Sequence, residues 1–177
     1  VLFNGQKLIG RSQLGLKFQN GQMFEKLGIL KVTRRENATS YSMPSGKSGF
    51  ILDQYREVSF ELEEAKAPFG QLTIQFRVYD DGIGIRYLIP RQRSLSDFVI
   101  TEELTSFQLM ENPTIYALQL PFHSSFEGYY TKGKLADFES EKTMTLPVLL
   151  RYKETGGPWL AITESGLTDY AGMYLTR

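Results

Sequence analysis

No cysteine occurs among these 177 residues, so disulfides and thiolate metal sites are excluded. That absence does not fix the compartment, because periplasmic and cell-surface proteins can also lack cysteine. Histidine occurs once, as His123. A zinc site built on a histidine pair is therefore impossible, and a Ser-His-Asp triad could use only this residue. No serine lies in a Gly-x-Ser-x-Gly setting, and His123 reads as a structural or surface residue. Charge of one sign is not in excess: Lys+Arg and Asp+Glu number 20 each. Such a balance gives no electrostatic reason to expect nucleic acid or a membrane surface as partner. No run of about 18 apolar residues exists, so no helix long enough to span a membrane is expected. The chain opens on Val1 rather than Met, inside the apolar run Val1-Leu2-Phe3. A leader removed upstream, or a cut at both ends, is the expectation. Long helical periodicity is missing too, and one short turn near Glu63–Ala67 is the only helical expectation.

What is present is period two. Hydrophobic residues make up 41% of the chain and aromatics 13%, enough for one globular domain with a real core. In Leu72–Pro90, Leu72, Ile74, Phe76 and Val78 alternate with polar neighbours, and after Asp80-Asp81-Gly82 the alternation resumes through Ile83, Ile85, Tyr87 and Ile89. This predicts a hairpin with a two-residue loop, because a three-residue loop would set Phe76 against Arg86. Arg77 and Arg86 then need an acidic partner or solvent. Further strands are predicted at Lys7–Ile9, Leu14–Phe18, Ile29–Arg34, Glu57–Leu62, Phe98–Leu109, Ile115–Leu120, Met144–Tyr152 and Trp159–Thr163. Turn residues such as Asn4-Gly5, Asn20-Gly21 and Gly156-Gly157-Pro158 separate them. Many short strands with frequent turns predict an all-β sandwich or barrel, and the number of strands favours a large two-sheet sandwich. Arg35–Phe50 and His123–Lys142 read as the loop-rich stretches, where binding residues usually sit.

Several motifs have plain explanations. Ser45–Ser48, "SGKS", lacks the glycine and the helix of a phosphate-binding loop and reads as an ordinary turn. Asn37-Ala38-Thr39 fits a glycosylation triplet by chance and reads as a surface loop. Asp80 and Asp81 supply turn geometry. Phe126, Tyr129 and Tyr130 lie in a loop-like stretch and could stack on a sugar ring. Trp159 could do so as well, but its place in "WLAIT" predicts core packing. Glu164 and Asp169 flank "SGLTD" just after an apolar strand. Oxygen ligands there suit a hard cation such as calcium, which wants about six to eight oxygens. One or two carboxylates cannot supply that set, and the simpler reading is an acidic surface turn.

Three stretches carry a family resemblance: "LIGRSQLGLKF" at Leu8–Phe18, "QFRVYDDGIGIRYLIP" at Gln75–Pro90 and "WLAITESGLTDYAGMYL" at Trp159–Leu175. In this order and spacing they resemble the N-terminal domain of glycoside hydrolase family 97, the α-glucosidases and α-galactosidases of gut Bacteroidetes. Weaker echoes are "ITEELTSFQL" at Ile100–Leu109 and "FEGYY" at Phe126–Tyr130, the latter without a tryptophan expected just before it. The resemblance implies an all-β fold, a large antiparallel β-super-sandwich of the galactose mutarotase-like kind, spanning residues 1–177 as a single domain. It implies that a catalytic (β/α)₈ barrel and a C-terminal β domain complete the enzyme and that the catalytic acid and base or nucleophile lie in the barrel. It also implies that a glutamate of this domain reaches the active site as a calcium ligand. By position that residue is Glu164, although the family more often has Glu-Ala where this chain has Glu-Ser-Gly. A periplasmic location follows from the same resemblance.

The expected function is thus the N-terminal sandwich domain of a calcium-dependent exo-α-glycosidase. It would pack on the barrel of its own polypeptide, act on a terminal α-linked sugar and donate Glu164 to calcium. Alone it is expected to be inactive. The alternative is a stand-alone carbohydrate-binding β-sandwich that uses exposed aromatics. An epimerase of the mutarotase type is disfavoured, because that chemistry usually needs a histidine with a carboxylate and only His123 is available.

Overall fold

The structure is a computed structural model that describes residues 1–21, 24, 26–66, 69–93, 95–121, 123–168 and 170–177. The described residues form fourteen strands, all paired antiparallel, and one 3₁₀ turn at Leu135–Asp137. They divide into two compact units: Leu14–Thr105, and Val1–Gln13 with Ser106–Arg177.

The middle unit contains β3 (Leu16–Phe18), β4 (Leu27–Ser42), β5 (Phe50–Glu64), β6 (Gln71–Val78), β7 (Ile83–Leu88) and β8 (Ile100–Glu103). β4 to β7 form a four-stranded meander, and β3 pairs with β8. The β6–β7 register sets Phe76 against Ile85 and Val78 against Ile83, as the alternation predicts. Tyr79 N–H donates to the Gly82 carbonyl at 2.8 Å, which leaves Asp80 and Asp81 as the two loop residues. Arg77 finds its acidic partner across the sheet in Glu57, at 2.7 Å. A small core gathers Leu16, Phe18 and Leu95, with Tyr87, Ile89 and Ile100 packed against it. Burial pushes the Tyr87 hydroxyl's pKa up, and that hydroxyl accepts from Gly15 N–H at 3.1 Å.

Two expectations fail here. Arg35–Phe50 is not loop-rich. β4 and β5 pair along their whole length, from Leu27 opposite Glu64 to Ser42 opposite Phe50, and only 43–49 turn. Apart from Ala38, residues 35–40 are polar, so they carry no alternation to read. Their ladder is held instead by backbone bonds and polar cross-strand pairs. Asn37 Nδ2 donates to the Asp53 carbonyl at 2.8 Å and to its carboxylate at 2.9 Å, so Asn37-Ala38-Thr39 is strand, not loop. Glu63 and Glu64 are likewise the end of β5 and not a helical turn; Ala67 lies outside the described residues.

The second unit contains β1 (Leu2–Phe3), β2 (Gln6–Lys7), β9 (Thr114–Ala117), β10 (Gln119–Leu120), β11 (Thr131–Gly133), β12 (Thr143–Met144), β13 (Val148–Arg151) and β14 (Trp159–Ile162). Its main sheet has the order β11-β9-β13-β14. The inward row of that sheet, with Ile115, Ala117, Val148, Leu150 and Ile162, meets Leu8, Ile9, Phe138, Met144 and Tyr152 in the larger core. Tyr152 donates its hydroxyl to the Leu8 carbonyl, and burial pushes its pKa up to about 12.

Candidate functional site

The site grows from the end of β14. β13 fixes the register of β14, with Val148 opposite Ile162 and Arg151 opposite Trp159. Ile162 is buried in the core, which anchors the strand where the chain leaves the sheet. Thr163 and Glu164 follow, and Gly166 turns the chain at φ 70°, a left-handed conformation that favours glycine. The segment then returns, and Leu175 exchanges backbone bonds with Met144 at 2.7 and 3.0 Å. Met173 and Leu175 pack on the core.

Glu164 sits inside this excursion, half-buried. Met173 N–H donates to its Oε2 at 2.6 Å, a charge-assisted bond that fixes the side chain. Its Oε1 accepts no hydrogen bond from the described residues and lies 3.7 Å from where a side chain at Gly172 would begin. Glu164 can therefore supply one carboxylate oxygen to a cation, held in place by the loop it closes. Among the described residues no group of three His, Asp or Glu side chains could hold a metal ion. Asp169, the other carboxylate of the segment, lies outside the described residues.

Next to Met173, Tyr174 lines a cleft of about 370 Å³, with Leu120, His123, Ser124, Phe126 and Thr143 on its other walls. The rings of Phe126 and Tyr174 stand 6.2 Å apart, inclined at 34°. Phe126 and Tyr130 are more than half exposed and Tyr129 is almost fully exposed, as their loop position predicts. Gly128 lets this loop lie close, since a side chain there would meet Leu118 Cδ1 at 2.8 Å. The cleft was not legible in the sequence, because nothing in the spacing of Phe126 and Tyr174 brings them together.

Trp159 overturns its expectation. It is 55% exposed and lies on the outer face of the sheet. Alternation in "WLAIT" turns Leu160 and Ile162 inward and Trp159 outward. Its ring stacks on Tyr116 with centroids 5.5 Å apart at 28°. The Arg151 guanidinium lies 5.6 Å from the Trp159 ring and 5.8 Å from that of Tyr116.

The described residues thus form an antiparallel β scaffold that holds one carboxylate just past a strand end, in a chain that also exposes several aromatics. The sequence model of the family described as Glycosyl-hydrolase 97 N-terminal matches residues 1–177, and the chain belongs to that family. It is 23% identical, over 99% of its length and 27% of the relative's, to a retaining alpha-galactosidase of Bacteroides thetaiotaomicron. Two solved structures of a glycoside hydrolase family 97 enzyme from Pseudoalteromonas sp. strain K8, in complex with panose and with acarbose, superpose with a TM-score of 0.87 at 28% identity. Each covers 99% of this chain and 26% of its own. The all-β sandwich expected from the resemblance fits these neighbours. The chain spans about a quarter of the length of the relatives it matches.

Proposed function

We propose that this domain serves an exo-acting α-glycosidase, packs on the catalytic barrel of the same polypeptide and donates one oxygen of Glu164 to an active-site calcium. The observation that carries the reading is the clamp: a strand-end carboxylate with Oε2 tied to Met173 N–H and with Oε1 accepting no hydrogen bond from the described residues. A rigid scaffold of this kind positions a ligand better than a free loop does. The residue fits the metal as one hard oxygen ligand, and the remaining ligands would come from elsewhere in the enzyme. Calcium held there would orient the terminal sugar and polarise the glycosidic oxygen. The work of the chain itself is to hold that oxygen still and to shape the pocket rim.

Packing against further protein is supported in the middle unit. On one face of the β5–β6–β7 sheet, Val58, Phe60 and Phe76 are half-buried, while Val78, Ile83 and Ile85 are 48%, 46% and 43% exposed. Isolated exposed apolar residues are ordinary, but a contiguous row suggests an interface. Membership in a glycoside hydrolase family makes a stand-alone binding module the weaker reading.

The test is Glu164→Gln in the full-length enzyme, assayed on nitrophenyl α-glucoside and α-galactoside with calcium and with EDTA. A carboxamide keeps the shape and removes the charge. Turnover is expected to fall at least about tenfold and to lose its response to EDTA. Wild-type turnover with wild-type EDTA sensitivity would sink the assignment.

A further inference from the structure

We propose that the outer face of the β11-β9-β13-β14 sheet binds an acidic glycan, with Trp159 and Tyr116 stacking on a sugar ring and Lys132 receiving a uronate carboxylate. The site goes beyond the calcium reading and uses none of its residues. Sheet register brings the groups together in two adjacent rows. Lys132, Tyr116, Leu149 and Ala161 lie side by side across the four strands. Thr114, Arg151 and Trp159 lie side by side in the next row. Ile115, Leu150 and Ile162 alternate with them and enter the core, so both rows face away from it.

The aromatic part is already assembled. Trp159 and Tyr116 stack on each other, and the Arg151 guanidinium lies against both rings. Arg151 keeps only 15% of its side-chain surface in contact with solvent and donates to the Glu154 carboxylate. It therefore supports the ring pair and has little charge left for a visitor. A ring pair held in this way loses little freedom on binding. Its exposed apolar surface, continued by Leu149 and Ala161, suits the C–H face of a pyranose.

The charged part selects the sugar. Lys132 is exposed and forms no ion pair among the described residues; its Nζ stands 5.8 Å from the Tyr116 ring. A carboxylate carried by a sugar stacked on that ring comes within its reach. Lys134 adds a second ammonium without a carboxylate partner, since its Nζ donates to the Asn112 carbonyl at 2.9 Å and to Thr114 Oγ1 at 3.1 Å. This charge favours a uronate over a neutral sugar, and the stacking surface favours a sugar over an acidic peptide.

The test is isothermal titration of the full-length enzyme with oligogalacturonate, with a malto-oligosaccharide of equal length and with polyglutamate. Oligogalacturonate is expected to bind at least about tenfold more tightly than either of the others, and to weaken as salt is raised. Trp159→Ala is expected to weaken it about tenfold, the scale of a lost aromatic contact. Trp159→Tyr keeps a stacking face and should retain most of the affinity. Lys132→Ala should remove most of the preference over the malto-oligosaccharide. Turnover of nitrophenyl glycosides should stay at the wild-type level in all three variants, and melting temperatures identify any that misfold. No binding of oligogalacturonate overturns the proposal, as does equal binding of the neutral oligosaccharide. Equally tight polyglutamate would make the face a docking surface for acidic protein instead. Affinity unmoved by both Trp159→Tyr and Trp159→Ala, in folded variants, would place the sugar elsewhere and also overturn it.

Discussion

At the scale of single residues, the pair Glu57–Arg77 shows how a polar sheet face is made stable. Glu57 keeps only 5% of its side-chain surface in contact with solvent, on a strand whose polar row also carries Ser59 and Glu61. A carboxylate so placed needs a partner. Register supplies it, because Glu57 lies opposite Arg77. The Arg77 Nε–H donates at 2.7 Å, and its guanidinium lies 4.4 Å over the Tyr55 ring. The bond to Glu57 raises the Arg77 pKa further above its usual value, so the guanidinium stays charged in any ordinary buffer. Arg77→Leu strands a buried carboxylate and is expected to cost about 2 kcal/mol, below the full penalty for a broken buried pair because Arg77 is partly solvated. Urea unfolding measures it. Adding Glu57→Leu should recover part of the loss. A single variant within about 0.5 kcal/mol of the parent would mean that water already solvates Glu57.

At the scale of elements, what was legible in the sequence is what alternates. The β6–β7 hairpin, with its two-residue loop, followed from Phe76, Val78, Ile83 and Ile85, because a slip of one residue would have turned them all to the wrong face. The β4–β5 extension was not legible, since its strength lies in cross-strand polar bonds such as Asn37 to Asp53 that leave no pattern in either strand alone. Glu164 is a candidate through the family resemblance, while its place after an apolar strand alone reads as an acidic surface turn. Its clamp was not legible, because Met173 is brought to it by the return of the chain through Leu175 and Met144. Trp159 was misjudged because an apolar run can hide an outward row. That outward position makes the sole tryptophan a reporter of β14. The β13–β14 connection depends on Gly157, where a side chain would come within 2.8 Å of Lys153 N and 2.5 Å of its Cβ. Gly157→Ala must move backbone and is expected to destabilise by about 1–3 kcal/mol and to shift Trp159 emission. Gly49→Ala, with nothing within 4 Å of the new carbon, is the control and should leave the emission in place. Identical spectra for the two variants would show that the connection yields freely.

At the scale of the whole molecule, the question is how much of a metal site one domain can be. On the proposed reading Glu164 would supply one oxygen, Oε1, which accepts no hydrogen bond from the described residues, and those residues offer no cluster to join it. Calcium needs about six to eight protein or solvent oxygens, and affinity rises steeply with the number of charged ligands. A single carboxylate leaves the ion almost fully hydrated, so the 177-residue chain should bind it no better than about 10 mM. Stabilisation by a ligand follows RT ln(1 + [L]/Kd). At about 1 mM calcium that term is below about 0.1 kcal/mol for the chain, which moves its melting temperature by less than about 1 °C. The full-length enzyme differs, because ligands from several elements would converge on the ion. Binding at about 10 µM would stabilise it by nearly 3 kcal/mol at the same calcium concentration. Melting temperatures with calcium and with EDTA therefore separate the two cases. The expected outcome is a rise of about 2 °C in the full-length enzyme, lost with Glu164→Gln, and none in the chain alone. A comparable rise in the chain alone would mean that it completes a calcium site by itself, and Glu164 would then no longer be a ligand shared between domains.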